Sequence, residues 1–353
     1  MRKIIFVCLI AVVLLPWDTL AQGKKELVIC QFGGAAEKAL KESMFDPFEK
    51  ETGIKIIPVT MPNAAKLKAM VDSKNVEWDI MLGAAGLFGT ARRQGLLEKV
   101  DYKYFDQKTL DELYPEAKHE YGVGIFYFSV VMAYDRDLFK NDPPQNWADF
   151  WNVKKYPGPR TLHSYAPGGS TWEFSLMADG VPKDNVYDRM WPPDYPDMNR
   201  IWKKLDEIKP NIVKFWTAPP DPIQLLVDKG VVMAAVYDGR VQNIIKEGAP
   251  VAVTYNQGML YLEYLMIPKG APNYDNACKF MAFQAKAAIQ AEHSRRMPYG
   301  PVSAKSFEVL PPEISRNLCS HPENKKVMFR ESEKWYEQNM TMMIEKFQNW
   351  LVK

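Results

Sequence analysis

The turn at residues 237–240 carries the clearest binding chemistry in this chain. Tyr237, Asp238 and Arg240 bring an aromatic ring, a carboxylate and a guanidinium together within one short segment. A guanidinium holds carboxylates or phosphonates in a bidentate manner, whereas a ring and a carboxylate suit an ammonium group. The turn follows the apolar run 231–236, which is typical of a strand covered on both faces. Ligands bind at strand ends in open α/β sheets, so we predict a binding wall here.

An earlier turn of the same stretch, residues 212–248, carries Trp216 and Thr217. The helix predicted at residues 221–228 follows it, with Asp221 at its N-cap and Pro222 in its first turn. Two interpretations remain open for this stretch. Its polar and aromatic residues contact a ligand, or they are ordinary turn residues with Trp216 packed in the core.

A double glycine follows the first predicted strand, residues 26–30. Gly33 and Gly34, after Phe32, would let a ligand approach the backbone and would present amides at a helix N-terminus. Their spacing is neither a dinucleotide fingerprint nor a P-loop. Further units of strand, small-residue turn and helix begin at residues 53 and 78. This repetition predicts a parallel, doubly wound α/β lobe.

Length and composition indicate a globular protein with two lobes. The chain has 353 residues, 47% of them apolar and 25% charged, and single cores stop growing near roughly 250–300 residues. A net charge of +2 gives no sign of a nucleic-acid partner. Residues 122–135 and 259–268 are β-rich and suit crossings between lobes, and residues 331–351 predict a terminal amphipathic helix with surface charges.

The first residues predict a cleavable export signal, residues 1–21. Arg2 and Lys3 form a basic start, residues 4–15 are apolar, and residues 19–21 match a small-x-small cleavage site. The apolar run is shorter than the roughly 20 residues that a membrane-spanning helix needs. We therefore expect a soluble, exported, periplasmic protein.

Catalytic and metal-binding patterns do not emerge from the sequence. The four histidines are scattered, and neither a zinc spacing nor a G-x-S-x-G motif is present. Cys30, Cys278 and Cys319 remain after signal removal, and we expect buried free thiols, with a Cys278–Cys319 disulfide as the alternative. We predict a binding protein without enzyme activity, cofactor or metal.

Several ordered motifs then carry a family resemblance over nearly all of the mature chain. They are F-x-K-x-T-G-I-K-I at 48–56, R-x-G-L-L-E at 93–98, NWADFWNVKKYPG at 146–158 and KPNIVKFW at 209–216. The chain resembles the family 1 extracellular solute-binding proteins of ABC importers, in the branch similar to spermidine/putrescine-binding proteins.

This resemblance implies a two-lobed type II periplasmic-binding-protein fold of the α/β class, with a ligand cleft between the lobes. Lobe 1 would comprise residues 22–131 and 253–297, and lobe 2 residues 132–252 and 298–353. It also implies a monomer that clamps a small molecule by domain closure. The partner would be an ABC permease in the inner membrane.

The resemblance also implies roles for individual residues, because similar polyamine binders stack an amine between rings and neutralise it with carboxylates. Phe32, Tyr237, Tyr261 and Tyr299 fall at aromatic positions, and Glu173 and Glu263 at acidic ones. Core packing is the alternative for Trp172 and Trp216, and ordinary strand alternation for Tyr261 and Glu263. The full set of predicted ligand-binding residues is Phe32, Gly33, Gly34, Trp172, Glu173, Trp216, Tyr237, Asp238, Arg240, Tyr261, Glu263 and Tyr299.

Departures from the polyamine pattern keep the ligand class open. Ala84 and Gly86 stand where such binders carry a serine and a tyrosine, and Ser170 stands at a further acidic position. Fewer polar groups and one less negative charge argue against a long polycation. We expect an amine-containing, polyamine-like solute. The alternatives are an anion or zwitterion (a carboxylate or aminophosphonate) held by Arg240, and ferric iron held by tyrosines. Two alternatives to a transport role also remain: a secreted enzyme on the same fold, and a two-lobed sensor or adhesin.

Overall fold

The computed structural model describes residues 25–164, 170–190 and 198–353. The predicted export signal lies outside these residues. Within them, no helix is both long enough and apolar enough to cross a membrane. Cys30, Cys278 and Cys319 are buried free thiols, as the sequence predicts.

The strands of the described residues belong to one sheet. They are β1 Glu26–Gln31, β2 Lys55–Thr60, β3 Ile80–Gly83, β4 Lys118–His119, β5 Gly122–Asp135, β6 Arg160–His163, β7 Ile212–Trp216, β8 Met233–Tyr237, β9 Val251–Met266 and β10 Phe329–Arg330.

Helices cover the sheet and connect its strands. The helices before β7 are α1 Gly34–Leu40, α2 Asp46–Thr52, α3 Ala64–Asp72, α4 Ala85–Arg93, α5 Gln107–Glu112, α6 Trp147–Trp151, α7 Thr171–Ala178, α8 Val186–Arg189 and α9 Met198–Ile208. Those after it are α10 Pro220–Val227, α11 Asp238–Lys246, α12 Tyr274–Gln284, α13 Ala287–Arg296, α14 Ser306–Val309, α15 Pro312–Ser315, α16 Pro322–Val327 and α17 Glu333–Leu351.

The sheet consists of two parallel halves joined by antiparallel strands, in the order β2-β1-β3-β9-β5-β8-β6-β7. In the half that we call lobe 1, β1 pairs in parallel with β2 and β3. In the half that we call lobe 2, β6 pairs in parallel with β7 and β8. The long strands β5 and β9 lie antiparallel between the halves. The predicted doubly wound lobe and the two crossing segments are therefore present.

The crossing strands contain a break at the middle of the molecule. Val130 pairs with Met259, but Met132 pairs with Thr254, so the return strand bulges between these two pairs. Gln257 lies in the bulge with a φ of 60°, and its carbonyl accepts a hydrogen bond of 2.9 Å from the Trp147 indole. A bulge bends a strand locally, so this break re-aims the strand where it passes from one lobe to the other.

The predicted lobe boundary after residue 297 does not match the packing of the chain that follows it. Tyr127 and Gly300 form a backbone bridge, and the Tyr114 amide donates to the Val302 carbonyl at 3.0 Å. These contacts favour placing residues 298–328 with lobe 1. The helix α17 instead packs its Phe347 against Phe215 of β7, in lobe 2. We propose this division in place of the sequence-based one.

Candidate functional site

The return strand β9 presents an aromatic ring and a carboxylate on one face. Tyr261 and Glu263 are two residues apart, so their side chains leave the same face of the sheet. Their partners on β5 are Phe128 and Phe126. The Tyr261 ring stacks on Phe128 with centroids 4.9 Å apart and an interplanar angle of 9°. Both Tyr261 and Glu263 are buried, so ordinary alternation on a half-exposed strand does not describe them.

The helix α7 brings a second carboxylate to this region in its first turn. Glu173 is fully buried, and its Oε1 accepts hydrogen bonds from the hydroxyls of Tyr336, at 2.7 Å, and Tyr187, at 3.1 Å. These two bonds fix the carboxylate. Its second oxygen, Oε2, has no hydrogen-bond partner in the described residues.

A third carboxylate, Glu331, was missed by the sequence analysis. The terminal helix was expected from residue 331, but α17 begins only at Glu333 after its N-cap Ser332. The two residues before Glu331 form β10, which pairs with β9 in parallel. The Glu331 amide donates to the Leu260 carbonyl at 3.3 Å. This extends the ladder and sets Glu331 beside Tyr261. A serine just before an amphipathic run is an N-cap signal, and it could have placed Glu331 outside the helix.

The three acids are buried, and Glu331 is coupled electrostatically to each of the other two. Burial raises the pKa of Glu173 to about 7, although two tyrosine hydroxyls oppose this increase. Burial, reinforced by the charge of Glu331, raises the pKa of Glu263 to about 8. Burial and then the charge of Glu173 raise the pKa of Glu331 to about 8. Because the low-dielectric surroundings oppose ionisation, this region favours a cationic ligand group that would neutralise the carboxylates.

Each acid has one buried carboxylate oxygen that no described residue satisfies: Glu173 Oε2, Glu263 Oε1 and Glu331 Oε2. Glu331 is half-buried as a residue, but this oxygen is inaccessible. Most buried polar atoms in proteins have a hydrogen-bond partner. The unsatisfied oxygens of these three acids therefore make this region a candidate ligand site.

The predicted wall at the end of β8 lies against the same rings. Tyr237 meets Phe128 edge-on with ring centroids 5.8 Å apart, and Tyr299 lies 6.1 Å from Phe128. Burial raises the pKa of the Tyr237 hydroxyl, Glu331 adds to this increase and Arg240 opposes it. Arg240 likewise opposes the increase for Tyr299. Both rings are therefore influenced by a positive group and by buried acids.

Arg240 and Asp238 do not pair with each other. The Asp238 Oδ1 accepts the Ser129 amide of the crossing strand β5 at 2.8 Å, and burial raises the pKa of Asp238 to about 6. Arg240 is half-buried and forms no hydrogen bond or ion pair with any described residue. Asp238 thus anchors the turn to the crossing strand, which leaves Arg240 available to an anionic group.

The two predicted tryptophans support the site from the core of lobe 2. Trp216 is fully buried, and its indole donates to the Ala235 carbonyl at 2.9 Å. It meets Tyr237 edge-on at 5.5 Å. Trp172 is also buried, against Trp335 and Tyr336. Their packing favours the core alternative, in which they hold Tyr237 and Tyr336 in place.

The turn after β1 is not brought into this buried group. Phe32 is 57% exposed. The Gly33 amide donates to the side-chain oxygen of Gln31 at 2.6 Å, so it is already used. Gly33 and Gly34 have φ values of 75° and 66° and serve a tight turn. The predicted ligand roles of Phe32, Gly33 and Gly34 have no support in these contacts.

The described residues contain no group of three or more His, Cys, Asp or Glu side chains that could hold a metal ion. The region instead contains three buried carboxylates, and Tyr237 lies within electrostatic range of both the Arg240 guanidinium and the acids Glu331 and Glu263.

Comparison with known proteins identifies the family. The family model described as "Bacterial extracellular solute-binding protein" matches residues 43–318. The chain belongs to this family. The family predicted from the sequence motifs is thereby confirmed.

Curated relatives of this solute-binding protein differ in their ligands. The gamma-aminobutyric acid-binding protein of Pseudomonas aeruginosa is 35% identical over 312 residues, which cover 88% of this chain and 86% of that protein. The spermidine/putrescine-binding periplasmic protein of Salmonella typhimurium is 20% identical over 289 residues, 79% of each chain. Identity to the gamma-aminobutyric acid binder is thus clearly higher than to this polyamine binder.

Solved structures of related binding proteins share the fold. An ABC transporter substrate-binding protein from Bradyrhizobium japonicum matches with a TM-score of 0.83 and 35% identity, covering 92% of this chain and 99% of that one. The binding protein AgtB of Agrobacterium tumefaciens R10, in complex with agropinic acid, matches with a TM-score of 0.77 and 31% identity, covering 93% and 99%. The predicted two-lobed α/β fold is confirmed.

Proposed function

We propose that this protein is the exported, periplasmic substrate-binding component of an ABC importer and that it binds a small amino acid whose amine and acid lie at opposite ends. It would work as a monomer without a cofactor, and it would deliver the amino acid to an inner-membrane permease. The observation that carries the ligand class is that Tyr237 feels the charge of Arg240 as well as the charges of Glu331 and Glu263, so that a positive group and negative groups lie near one buried ring.

The relatives support the same ligand class. A protein 35% identical is named for gamma-aminobutyric acid, a compact zwitterion, and one 31% identical was solved with agropinic acid. The expected polyamine-like ligand has weaker support, because a second cationic end of a diamine would face Arg240. Like charges repel, and they repel more strongly in a low-dielectric site.

Three ligands of equal chain length test the proposal by calorimetric titration: 4-aminobutyrate, 1,4-diaminobutane and succinate. We expect 4-aminobutyrate to bind at least about tenfold more tightly than either of the others, because only it matches both charges. Tighter binding of the diamine would restore the polyamine interpretation. Tighter binding of succinate would move the site's centre to Arg240.

Arg240→Gln tests the acid-binding end separately. We expect it to weaken 4-aminobutyrate binding by about tenfold to a hundredfold and to leave diamine binding equal or improved. Arg136→Gln is the matched control, because Arg136 is exposed and, among the described residues, forms its ion pair with its neighbour Asp137. Unchanged 4-aminobutyrate affinity in Arg240→Gln would show that Arg240 does not hold the ligand.

A further inference from the structure

The acidic end of the site has a property beyond its charge, namely the number of oxygens that it leaves available. Tyr336 and Tyr187 both bind Glu173 Oε1, so only Oε2 is available on this acid. Glu263 contributes Oε1 and Glu331 contributes Oε2. One buried oxygen from each of three elements therefore lacks a donor among the described residues.

The strand register brings two of these acids together. Phe329 and Arg330 pair in parallel with Met259 and Leu260, so Glu331 stands beside Tyr261 on the next register position. Glu263 lies two residues further along β9, on the same face as Tyr261. With strands about 4.8 Å apart and a rise of about 3.3 Å per residue, the two Cα atoms are about 8 Å apart. Two glutamate side chains can reach a common point across that distance.

Glu331 also lies close to Glu173. Its charge raises the pKa of Glu263, and Glu173 in turn raises the pKa of Glu331. Tyr336, which binds Glu173, belongs to α17, whose N-cap Ser332 directly follows Glu331. A single connection, from β10 into α17, therefore sets both the position of Glu331 and the orientation of Glu173.

We propose that Glu173, Glu263 and Glu331 select a primary amine over N-methylated amines by accepting all three N–H donors of one ammonium group. This inference rests on the proposed function, which places an amine at this end. A primary ammonium has three donors, and each of the three buried oxygens without a partner takes one. A buried carboxylate oxygen without a donor is costly, so a ligand that lacks a donor binds less well.

An aromatic cage makes the opposite selection. Quaternary ammonium groups bind against ring faces through their charge alone and need no N–H donor. Tyr237, Tyr261 and Tyr299 would supply such faces, so the two modes of recognition compete at this site. They differ in how affinity changes with methylation of the amine.

The test is calorimetric titration of the full-length mature protein with 4-aminobutyrate and its N-methyl, N,N-dimethyl and N,N,N-trimethyl derivatives. We expect affinity to fall by about tenfold or more with each methyl group, since each removes one charge-assisted hydrogen bond. Equal or tighter binding of the trimethyl compound would overturn the donor-counting proposal and favour a cage, while the amino-acid function would stand.

Glu331→Ala sharpens the test, because it removes one acceptor and so makes one donor unnecessary. We expect this variant to bind 4-aminobutyrate less tightly than wild type but to lose the discrimination against the first methyl group. Retained discrimination would overturn the role of Glu331.

Should 4-aminobutyrate fail to bind wild type while a diamine binds, the same N-methyl series made on the diamine applies. Failure of every amine to bind would overturn both proposals.

Discussion

Glu331 is electrostatically coupled to both other buried acids. Its charge raises the pKa of Glu263, and the charge of Glu173 raises the pKa of Glu331. All three carboxyls have a pKa well above the usual range of about 4, because burial disfavours the charged form. An ammonium ligand stabilises the charged form instead. Ligand binding is therefore coupled to proton release.

This coupling predicts that 4-aminobutyrate affinity increases as pH rises from about 6 to 8, below and through pKa values of about 7 and 8. For each proton released the gain is roughly tenfold per pH unit. The ligand's own amine stays protonated over this range. Titrations in buffers of different ionisation enthalpy measure the proton release directly. An affinity independent of pH would show that the acids are ionised before the ligand arrives.

The same pKa shifts predict the opposite trend for the ligand-free protein. A buried carboxyl with a raised pKa is bound to its proton in the folded state at pH values where the unfolded chain has released it. The free energy of unfolding therefore decreases, and the folded protein becomes less stable, as pH rises from about 4.5 through 8. Glu331→Gln should reduce this decline. Thermal unfolding at several pH values, without ligand, measures both slopes.

Tyr336→Phe tests how the Glu173 carboxylate is held. The 2.7 Å hydrogen bond from Tyr336 to Oε1 favours the charged form of Glu173. Because the variant removes this bond, the pKa of Glu173 should rise further. We expect weaker ligand binding at pH 7 and partial recovery at pH 8.5. Tyr187→Phe, which removes the longer 3.1 Å bond, should show a smaller effect. Equal affinity across pH in Tyr336→Phe and wild type would contradict this account.

At the scale of elements, the start of α11 sets the position of Tyr299. A Cβ atom at Gly239 would lie 2.5 Å from Tyr299 Cε1, which is too close. Gly239→Ala should displace the ring, destabilise the protein by about 1–3 kcal/mol and weaken ligand binding. Gly86→Ala on α4 is the control, since its nearest atom would be Met340 Sδ at 3.8 Å. It should bind normally. Normal ligand binding in Gly239→Ala would show that the position of the Tyr299 ring does not affect the ligand site.

The sequence predicted the elements whose signals are local. The apolar run before Tyr237 gave β8, and the small-residue turns gave the parallel units of lobe 1. The pairing of Glu331 with β9 joins residues far apart in the chain, so no local pattern revealed it. Phe32 was assigned by resemblance alone, and its exposure depends on how the turn after β1 packs. Tyr261 and Glu263 were also assigned by resemblance, but their shared face follows directly from strand alternation.

At the scale of the whole molecule, we expect the lobes to close around the ligand and the acids to oppose this closure unless a cation accompanies them. We therefore expect ligand to shift the protein towards a compact form. Glu331→Gln should favour compaction without ligand, because it removes repulsion with Glu173 and Glu263. The radius of gyration from solution scattering measures both effects. Glu308→Gln, at an exposed ion pair, should behave as wild type. A ligand-independent radius in wild type would contradict this prediction.

The most direct measurement is a crystal structure of the complex with 4-aminobutyrate. The account predicts the ligand nitrogen within hydrogen-bond distance, about 2.7–3.2 Å, of Glu173, Glu263 and Glu331. It predicts the ligand carboxylate against Arg240, with Tyr237 and Tyr261 between the two ends. A ligand bound in the reverse orientation, or bound at another surface, would contradict the account.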